Sequence, residues 1–332
     1  MNLEVPEVAL EFAQEASLAM HARGGVELAR RAFFDPAVRD TEVGPLLEAL
    51  GIGDLEQADD LESLMAAAEL CRAAGTVALP YPVAARLAGS SQPVAVVDPA
   101  RPRADHAWVF ERWLVIDLGG RATAFAEPGD AELRSRLGHF VADLATGPWR
   151  ADQVGVARAA ARVLTFQSAT ALGACEQAFR LTVDHVRQRR QFGQPLAGFQ
   201  SVRFRLAELS TALAGLGELT RYTVVRLADG DEAALVDVLG LRLQTVTVSR
   251  RVLRASQQLH GATAFCNEYD LSVLTRYLQP LTRLPMDRPG TVAHLLAAVD
   301  RYGFDATLPV PPLATITTQA SVSEHGDVAH TR

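Results

Sequence analysis

Lysine is absent from this chain: all 32 basic residues are arginine. Any cationic contact must therefore come from a guanidinium or an imidazole. Cysteine is scarce. Cys71, Cys175 and Cys266 lie far apart and are odd in number, which excludes a disulfide framework and gives no metal-ligand spacing. A reducing, cytoplasmic setting is expected. No apolar run reaches the roughly 18 residues of a membrane span, and MNLEVPEVAL lacks the basic and apolar regions of a signal peptide. Basic excess is missing too. The net charge is -7 and the pI about 5.7, so no nucleic-acid partner is expected.

What the chain has is apolar bulk, 48% of 332 residues, enough for two domains or one large helical one. Residues 1–92 read as a helical region. VALEFAQEASLA (8–19) places Leu10, Phe12, Ala16 and Leu18 at mixed helical spacing, and VGPLLEAL (43–50) stops at Gly51 and Gly53. A helix over 59–74 starts at Asp59 and Asp60, good capping types, and stops at Gly75. One more short helix follows Pro80 and Pro82. Residues 93–150 change texture. PVAVVDP, HAWVFERWLVIDLG, RATAFAEPG and GHFVADL are short apolar or alternating runs and read as strands of a small sheet. Residues 151–304 are helical again, with long helices near 155–189, 199–228 and 232–258 and shorter ones near 269–278 and 291–302. The second long helix carries Val202, Leu206, Leu209, Leu213, Leu216 and Leu219 on one stripe. Short turns between long helices predict an antiparallel bundle. Residues 305–332 have no periodicity and read as a disordered tail.

Two stretches carry chemistry. HVRQRRQFGQPLAGFQ (185–200) holds Arg189, Gln191, Phe192, Gly193, Pro195, Phe199 and Gln200. A guanidinium is a planar, permanently charged fork suited to a pyrophosphate. Gly193 and Pro195 are read as helix stops that leave the preceding side chains at an exposed end. Taken alone, Arg187, Arg189 and Arg190 could equally be a solvated helix terminus favoured by the macrodipole. The second stretch is QQLHGATAF (257–265), with Gln258, His260, Gly261 and Ala262. A glycine there allows close backbone approach to a ligand. His260 alone is more often structural than catalytic.

The spacing R-x-Q-F-G-x-P-(x)3-F-Q from Arg189 to Gln200 resembles a signature of the acyl-CoA dehydrogenase family, and Gln258–Ala262 resembles that family's Q-x-x-G-G, with Ala262 in place of the second glycine and Ala264 in place of a further one. The resemblance implies a mostly α fold with a small β domain: an N-terminal helical domain, a reduced middle β domain and a C-terminal antiparallel helical bundle. It implies FAD as cofactor. Arg189, Gln191, Phe192 and Gln200 would reach the dinucleotide across a subunit interface, with Gln258, Gly261 and Ala262 beside it.

The family's catalytic base is not found. The two places where family members carry that Glu correspond here to Pro285 or Pro289 and to Val163, 26 residues before Arg189. No T/S-E-P-x-x-G-S-D-like segment and no G-x-K-x-x-I-like segment occurs in the sheet region. The resemblance therefore implies a non-catalytic, FAD-contacting subunit of a heteromeric (α2β2) acyl-CoA dehydrogenase. A second dehydrogenase-like subunit would hold most of the acyl-CoA, a bulky or steroid side-chain ester being one candidate. An electron-transfer flavoprotein would take the electrons. Two alternatives stay open: a self-sufficient dehydrogenase with Asp287 or Glu268 as a displaced base, and a flavin-free scaffold homologue.

Overall fold

The computed structural model describes residues 3–57, 59–130, 137–151 and 155–303. The tail expected over 305–332 lies outside them. Six helices open the chain: α1 (Glu7–Ala22), α2 (Val26–Phe34), α3 (Gly44–Ala49), α4 (Ile52–Glu56), α5 (Leu61–Thr76) and α6 (Val83–Arg86). Strands follow: β1 (Val94–Val97), β2 (Arg103–Ala104), β3 (Trp113–Asp117), β4 (Ala122–Pro128), β5 (Ala142–Thr146) and β6 (Arg150–Ala151). The chain then enters α7 (Val156–Gln188), a small hairpin of β7 (Arg190–Gln191) and β8 (Gln194–Pro195), and α8 (Gln200–Ala228), α9 (Ala234–His260), α10 (Asp270–Arg283) and α11 (Arg288–Tyr302). This is a mostly α fold with one small sheet. Among the described residues, no helix is long and apolar enough to cross a membrane.

The sheet runs β1-β3-β4-β5-β2, with β6 on the far end of β4. β1 and β3 are parallel, Val94 opposite Leu114; the other pairs are antiparallel. Trp113 anchors the sheet's core and donates its indole N–H to the Ala107 carbonyl at 2.9 Å. The apolar run at 106–110 is no strand. Ala107–Val109 form a single 3-10 turn entered through His106, whose φ is 51°.

Over 160–175 α7 is buried around almost its whole circumference, while Arg180, Asp184, Arg187 and Gln188 are exposed towards its C-terminal end; the helix packs against α5, α8, α9, α10 and β1. Its buried hydroxyls find partners inside the helix: Thr165, Ser168, Thr170 and Thr182 each donate to the carbonyl four residues back. Against α5 the approach is close. A Cβ on Gly173 would stand 1.9 Å from the Arg72 carbonyl oxygen, and one on Gly75 would stand 2.0 Å from that of Thr170. Gly75 is thus inside α5 and does not stop it; it is glycine because the α7 backbone occupies the space a side chain would need. Arg72 reinforces the crossing with two hydrogen bonds of 2.8 Å to the Glu176 carboxylate.

Other departures are local. α1 buries Ala9, Ala16 and Met20, while Leu10 and Leu18 face out. α2 carries no element of the sequence reading. At the start of α5 the capping residue is Asp60, whose carboxylate accepts the Ser63 N–H at 3.0 Å. The α8 stripe is buried at Leu209, Leu213 and Leu216, but Val202 and Leu206 are only half-buried and Phe204 is exposed.

The glycine crossing gives a test. Gly173→Ala should lower stability by about 1–3 kcal/mol through overpacking, read as a shift of the urea midpoint at unchanged slope. Gly240→Ala, where an added Cβ meets nothing within 4 Å, should be neutral or stabilising.

Candidate functional site

α7 ends at Gln188, and Arg189 leaves it in an extended conformation. The chain then reverses. Gln191 pairs with Gln194 and Arg190 with Pro195, and the Leu196 N–H closes the hairpin on the Arg189 carbonyl at 2.8 Å. The two tip residues, Phe192 and Gly193, have φ of 52° and 82°, as a two-residue type I′ turn requires. Gly193 therefore makes the turn of a hairpin and is not the helix stop expected of it. Phe192 is 91% exposed in a left-handed conformation that bulky residues avoid. Its ring meets Phe199 edge-on at 6.3 Å.

The hairpin leads into α8, so α8 runs back along α7, and α9 returns in the direction of α7. The C-terminal ends of α7 and α9 meet where His185 stacks on His260 at 4.2 Å between ring centres. All seven predicted contact residues thus come to one end of the bundle: Arg189, Gln191, Phe192 and Gln200 around the hairpin, and Gln258, Gly261 and Ala262 at the α9 terminus. Every one of them is exposed. Arg189, Gln191 and Gln258 make no side-chain hydrogen bond or ion pair among the described residues, whereas Arg190 donates to the Gly193 carbonyl at 3.2 Å. Phe204 and Phe265 are also exposed. The end of the bundle therefore presents a free guanidinium, free amides and uncovered rings.

His260 has a structural job. Its Nδ1 lies 2.8 Å from the Ser256 carbonyl, which can only accept, so the proton is on Nδ1 and Nε2 accepts from the Tyr269 hydroxyl at 3.1 Å. Ala264 points into the core at 1% exposure. Its methyl group therefore takes no space from a ligand at the bundle end; Ala262 is the substitution that faces outward.

The positions at which a base is expected hold no carboxylate. Val163 and Leu164 are fully buried. Pro289 occupies the first turn of α11, and Asp287 is that helix's N-cap, its carboxylate accepting the Gly290 N–H at 3.1 Å. Glu268 is exposed, with its backbone carbonyl accepting from Arg30 at 3.0 Å. Just before this helix, the buried Arg242 guanidinium donates to the carbonyls of Leu281, Leu284 and Met286 and has no carboxylate partner among the described residues. Burial lowers it to about 10. Nothing in the sequence pattern singles Arg242 out, since it sits among the apolar residues of an ordinary helix.

Residues 159–283 match the family model "Acyl-CoA dehydrogenase, C-terminal domain". This segment is an acyl-CoA dehydrogenase C-terminal domain. The acyl-CoA dehydrogenase FadE28 of Mycobacterium tuberculosis is 32% identical over 136 residues, 41% of this chain and 39% of that one. The mitochondrial isobutyryl-CoA dehydrogenase of Dictyostelium discoideum is 31% identical over 113 residues, 34% of this chain and 26% of that one. The chain thus matches well under half the length of either relative. The fold likeness is wider. A variant of the Tcur3481-Tcur3483 steroid ACAD superposes with a TM-score of 0.75 at 15% identity, covering 90% of this chain and 99% of that one. A chain of the ChsE4-ChsE5 complex from Mycobacterium tuberculosis does so with 0.71 at 16% identity over 90% and 99%. The overall architecture is the acyl-CoA dehydrogenase fold. Within that dehydrogenase domain, the hairpin motif and the α9 terminus fall inside the matched segment.

The stacked imidazoles predict a pH effect. Burial lowers the pKa of His260, and burial, His260 and Arg189 lower that of His185. The unfolded chain then binds protons more readily, so their contribution to stability is complete above about pH 6.5 and is lost as pH falls through the lower folded values. His260→Gln should flatten the loss of urea stability between pH 7.5 and 5.5; a slope equal to wild type would remove this pair as its cause.

Proposed function

We propose that this chain is the non-catalytic, FAD-contacting subunit of a heteromeric acyl-CoA dehydrogenase. One observation carries the reading: the residues of the family's dinucleotide motif are gathered on an exposed, internally unpartnered bundle end, while the positions for the base are filled by Val163, Pro285 and Pro289. The donor set fits the group. Arg189 offers a charge-bearing fork for a pyrophosphate, Gln191, Gln200 and Gln258 offer amides for ribose and adenine edges, and Phe192 offers an apolar face. Bound FAD would supply the hydride acceptor for α,β-desaturation of an acyl-CoA. This chain's own residues would hold and orient the nucleotide half and exclude water from it.

The partner would be a second dehydrogenase-like subunit, in an α2β2 assembly, contributing the base and most of the acyl-CoA site. The half-buried Val202 and Leu206 extend the α8 stripe beyond this chain's own core, as a surface awaiting a neighbour would, and Phe204 stands exposed on the opposite face of the helix. Similarity in fold to chains of a steroid ACAD and of a two-component complex supports a heteromeric assembly and a bulky, steroid-type acyl group. Electrons would pass to an electron-transfer flavoprotein.

A self-sufficient enzyme is the second reading, favoured by one specific residue. Asp105 lines a cavity and burial pushes its carboxyl up to about 7. Asp287 and Glu268, by contrast, are a helix cap and an exposed side chain.

Two experiments separate these readings. In the co-purified complex, Arg189→Ala should weaken FAD retention about tenfold, the cost of one lost charge-assisted contact, with helix content unchanged; unaltered flavin occupancy would remove Arg189 from the site. Asp105→Asn, Glu268→Gln and Asp287→Asn should each leave turnover of the complex within about threefold, asparagine being as good a cap as aspartate. Abolished turnover in folded Asp105→Asn would establish the self-sufficient enzyme instead.

A further inference from the structure

A cavity of about 360 Å3 opens where α2, the 105–106 turn, the 138–140 segment and α10 meet. An apolar cavity of roughly 150 Å3 already takes one benzene ring, so this one has room for two. Its walls are mainly apolar and aromatic. Phe33 stacks on His139 at 4.0 Å, and Phe140 stands edge-on to His139 at 4.9 Å. Val273, Ala29 and Ala78 are also in the walls.

The charges around it cancel. At the rim, the Arg30 and Arg276 guanidiniums stand against the carboxylates of Glu27 and Asp270, with Arg30 bonded to both acids. Arg276 donates to the Asn267 side-chain oxygen at 2.6 Å. Further in, the Asp105 carboxyl feels the charge of the buried Arg39, whose guanidinium lies 4.8 Å from the Phe140 ring centre. An ion of either sign would leave water and meet no free counter-charge, which is costly. The cavity therefore suits a neutral molecule.

Two polar side chains lie on the wall that this cavity shares with a smaller one of about 60 Å3: Asp105 and Tyr277 line both. Asp105 Oδ1 accepts the His106 N–H at 2.9 Å, which fixes the turn. Its Oδ2 makes no hydrogen bond among the described residues, the His106 Nε2 standing off at 3.8 Å. The Tyr277 hydroxyl makes none among them either. Neither side chain is sealed in: that of Asp105 keeps 21% of its surface, and Tyr277 is half-buried. The two sense each other, since burial and then the Asp105 charge push the Tyr277 hydroxyl above its ordinary pKa. A carboxylate oxygen can only accept, and a phenol hydroxyl can donate. A single alcohol hydroxyl between them would satisfy both.

We propose that this cavity binds a neutral two-ring alcohol or phenol, its flat body between Phe33, Phe140 and Val273, and its hydroxyl donating to the Asp105 carboxylate while accepting from the Tyr277 hydroxyl. Balanced charge selects a neutral molecule, the aromatic walls select a flat body, and the acceptor–donor pair selects a hydroxyl. The site is made by this chain alone and does not depend on the flavin reading: loss of one leaves the other intact.

The test uses the full chain and 2-naphthol, followed by its fluorescence at pH 8, above the value of about 7 to which burial pushes the Asp105 carboxyl. Saturable binding to one site per chain is expected. 2-Methoxynaphthalene keeps the rings and the acceptor oxygen but has no O–H, and should bind about tenfold more weakly, the cost of one hydrogen bond to a charged group. 2-Naphthoate should also bind about tenfold more weakly, because its charge meets no free cation. In Asp105→Asn the side-chain oxygen can keep the His106 N–H while the amide nitrogen turns to the cavity as a donor. Naphthol and its methyl ether should then bind within about twofold of one another. Tyr277→Phe, which keeps the ring, should weaken 2-naphthol several-fold. Absence of saturable binding, or an ether or naphthoate affinity equal to that of 2-naphthol, overturns the proposal. So does an undiminished preference for 2-naphthol over the ether in Asp105→Asn, or wild-type affinity in Tyr277→Phe. The wild-type ligand series decides it even if a variant fails to fold.

Discussion

The contact on which the rest of the molecule depends is the crossing of α5 and α7 at Gly75 and Gly173. Each glycine faces the other helix's backbone, and neither site has room for even a methyl group. Helices normally pack 8–10 Å apart, at a distance set by the side chains between them. Removing the side chains on both sides brings the backbones together and aligns α7 with the N-terminal helices. The Arg72–Glu176 pair, just beyond the crossing, then resists sliding. Because α7 is also in contact with α8, α9, α10 and β1, fixing its position relative to α5 fixes the bundle and one edge of the sheet.

The far end of α7 inherits that rigidity. A 33-residue helix clamped near its middle delivers the hairpin at its tip to a defined place, and the His185–His260 stack locks the α9 terminus beside it. The left-handed Phe192 is tolerable only because the turn is over-determined, by a paired register on both sides, by Gly193 and by the Leu196 to Arg189 hydrogen bond. The strain of one residue is thus carried by local hydrogen bonds on a rigid base. The side chains beyond the turn are left unpartnered within the chain, which suits a surface that meets something else.

Much of this was legible in the sequence because it is encoded locally. The 3.6-residue stripe of α8, the capping Asp60 and the residue spacing from Arg189 to Gln200 are all short-range signals, and they place the elements and the predicted contact residues where the structure has them. The failures have a common cause. Gly75 and Gly193 were read as helix stops because glycine often is one, but the reason for each lies in a contact or a turn type that no neighbouring residue specifies. Ala264 stands in place of a further glycine of the motif, yet it lies on the buried side of the terminus. The cavity at His106 is assembled from segments that are more than 200 residues apart, as in the Arg30–Asp270 pair, and such a juxtaposition leaves no periodic trace. Arg242 was hidden for the converse reason: in a helix otherwise packed with apolar residues, a single arginine carries no pattern of its own.

The segment before α11 shows why the missing carboxylate is a property of the fold and not of one position. Arg242 gathers the carbonyls of Leu281, Leu284 and Met286, Asp287 caps the next helix, and Pro289 occupies a first-turn position for which its fixed φ is suited. The Arg242 guanidinium is committed to the end of α10 and the connecting segment, and the Asp287 carboxylate to the start of α11. Restoring an acid at residue 285 or 289 would put it among groups already committed to those roles. Restoring one at Val163 would place it in a fully buried site between α7 and the N-terminal helices, where an unpaired carboxylate is driven to its protonated form. At each of the three positions the surroundings would have to change before a substituted acid could act as a base. A chain that still met its cofactor through the hairpin could lose the base at little cost to folding only if another polypeptide supplied it, and the local structure at 284–291 is what such a division of labour would leave behind.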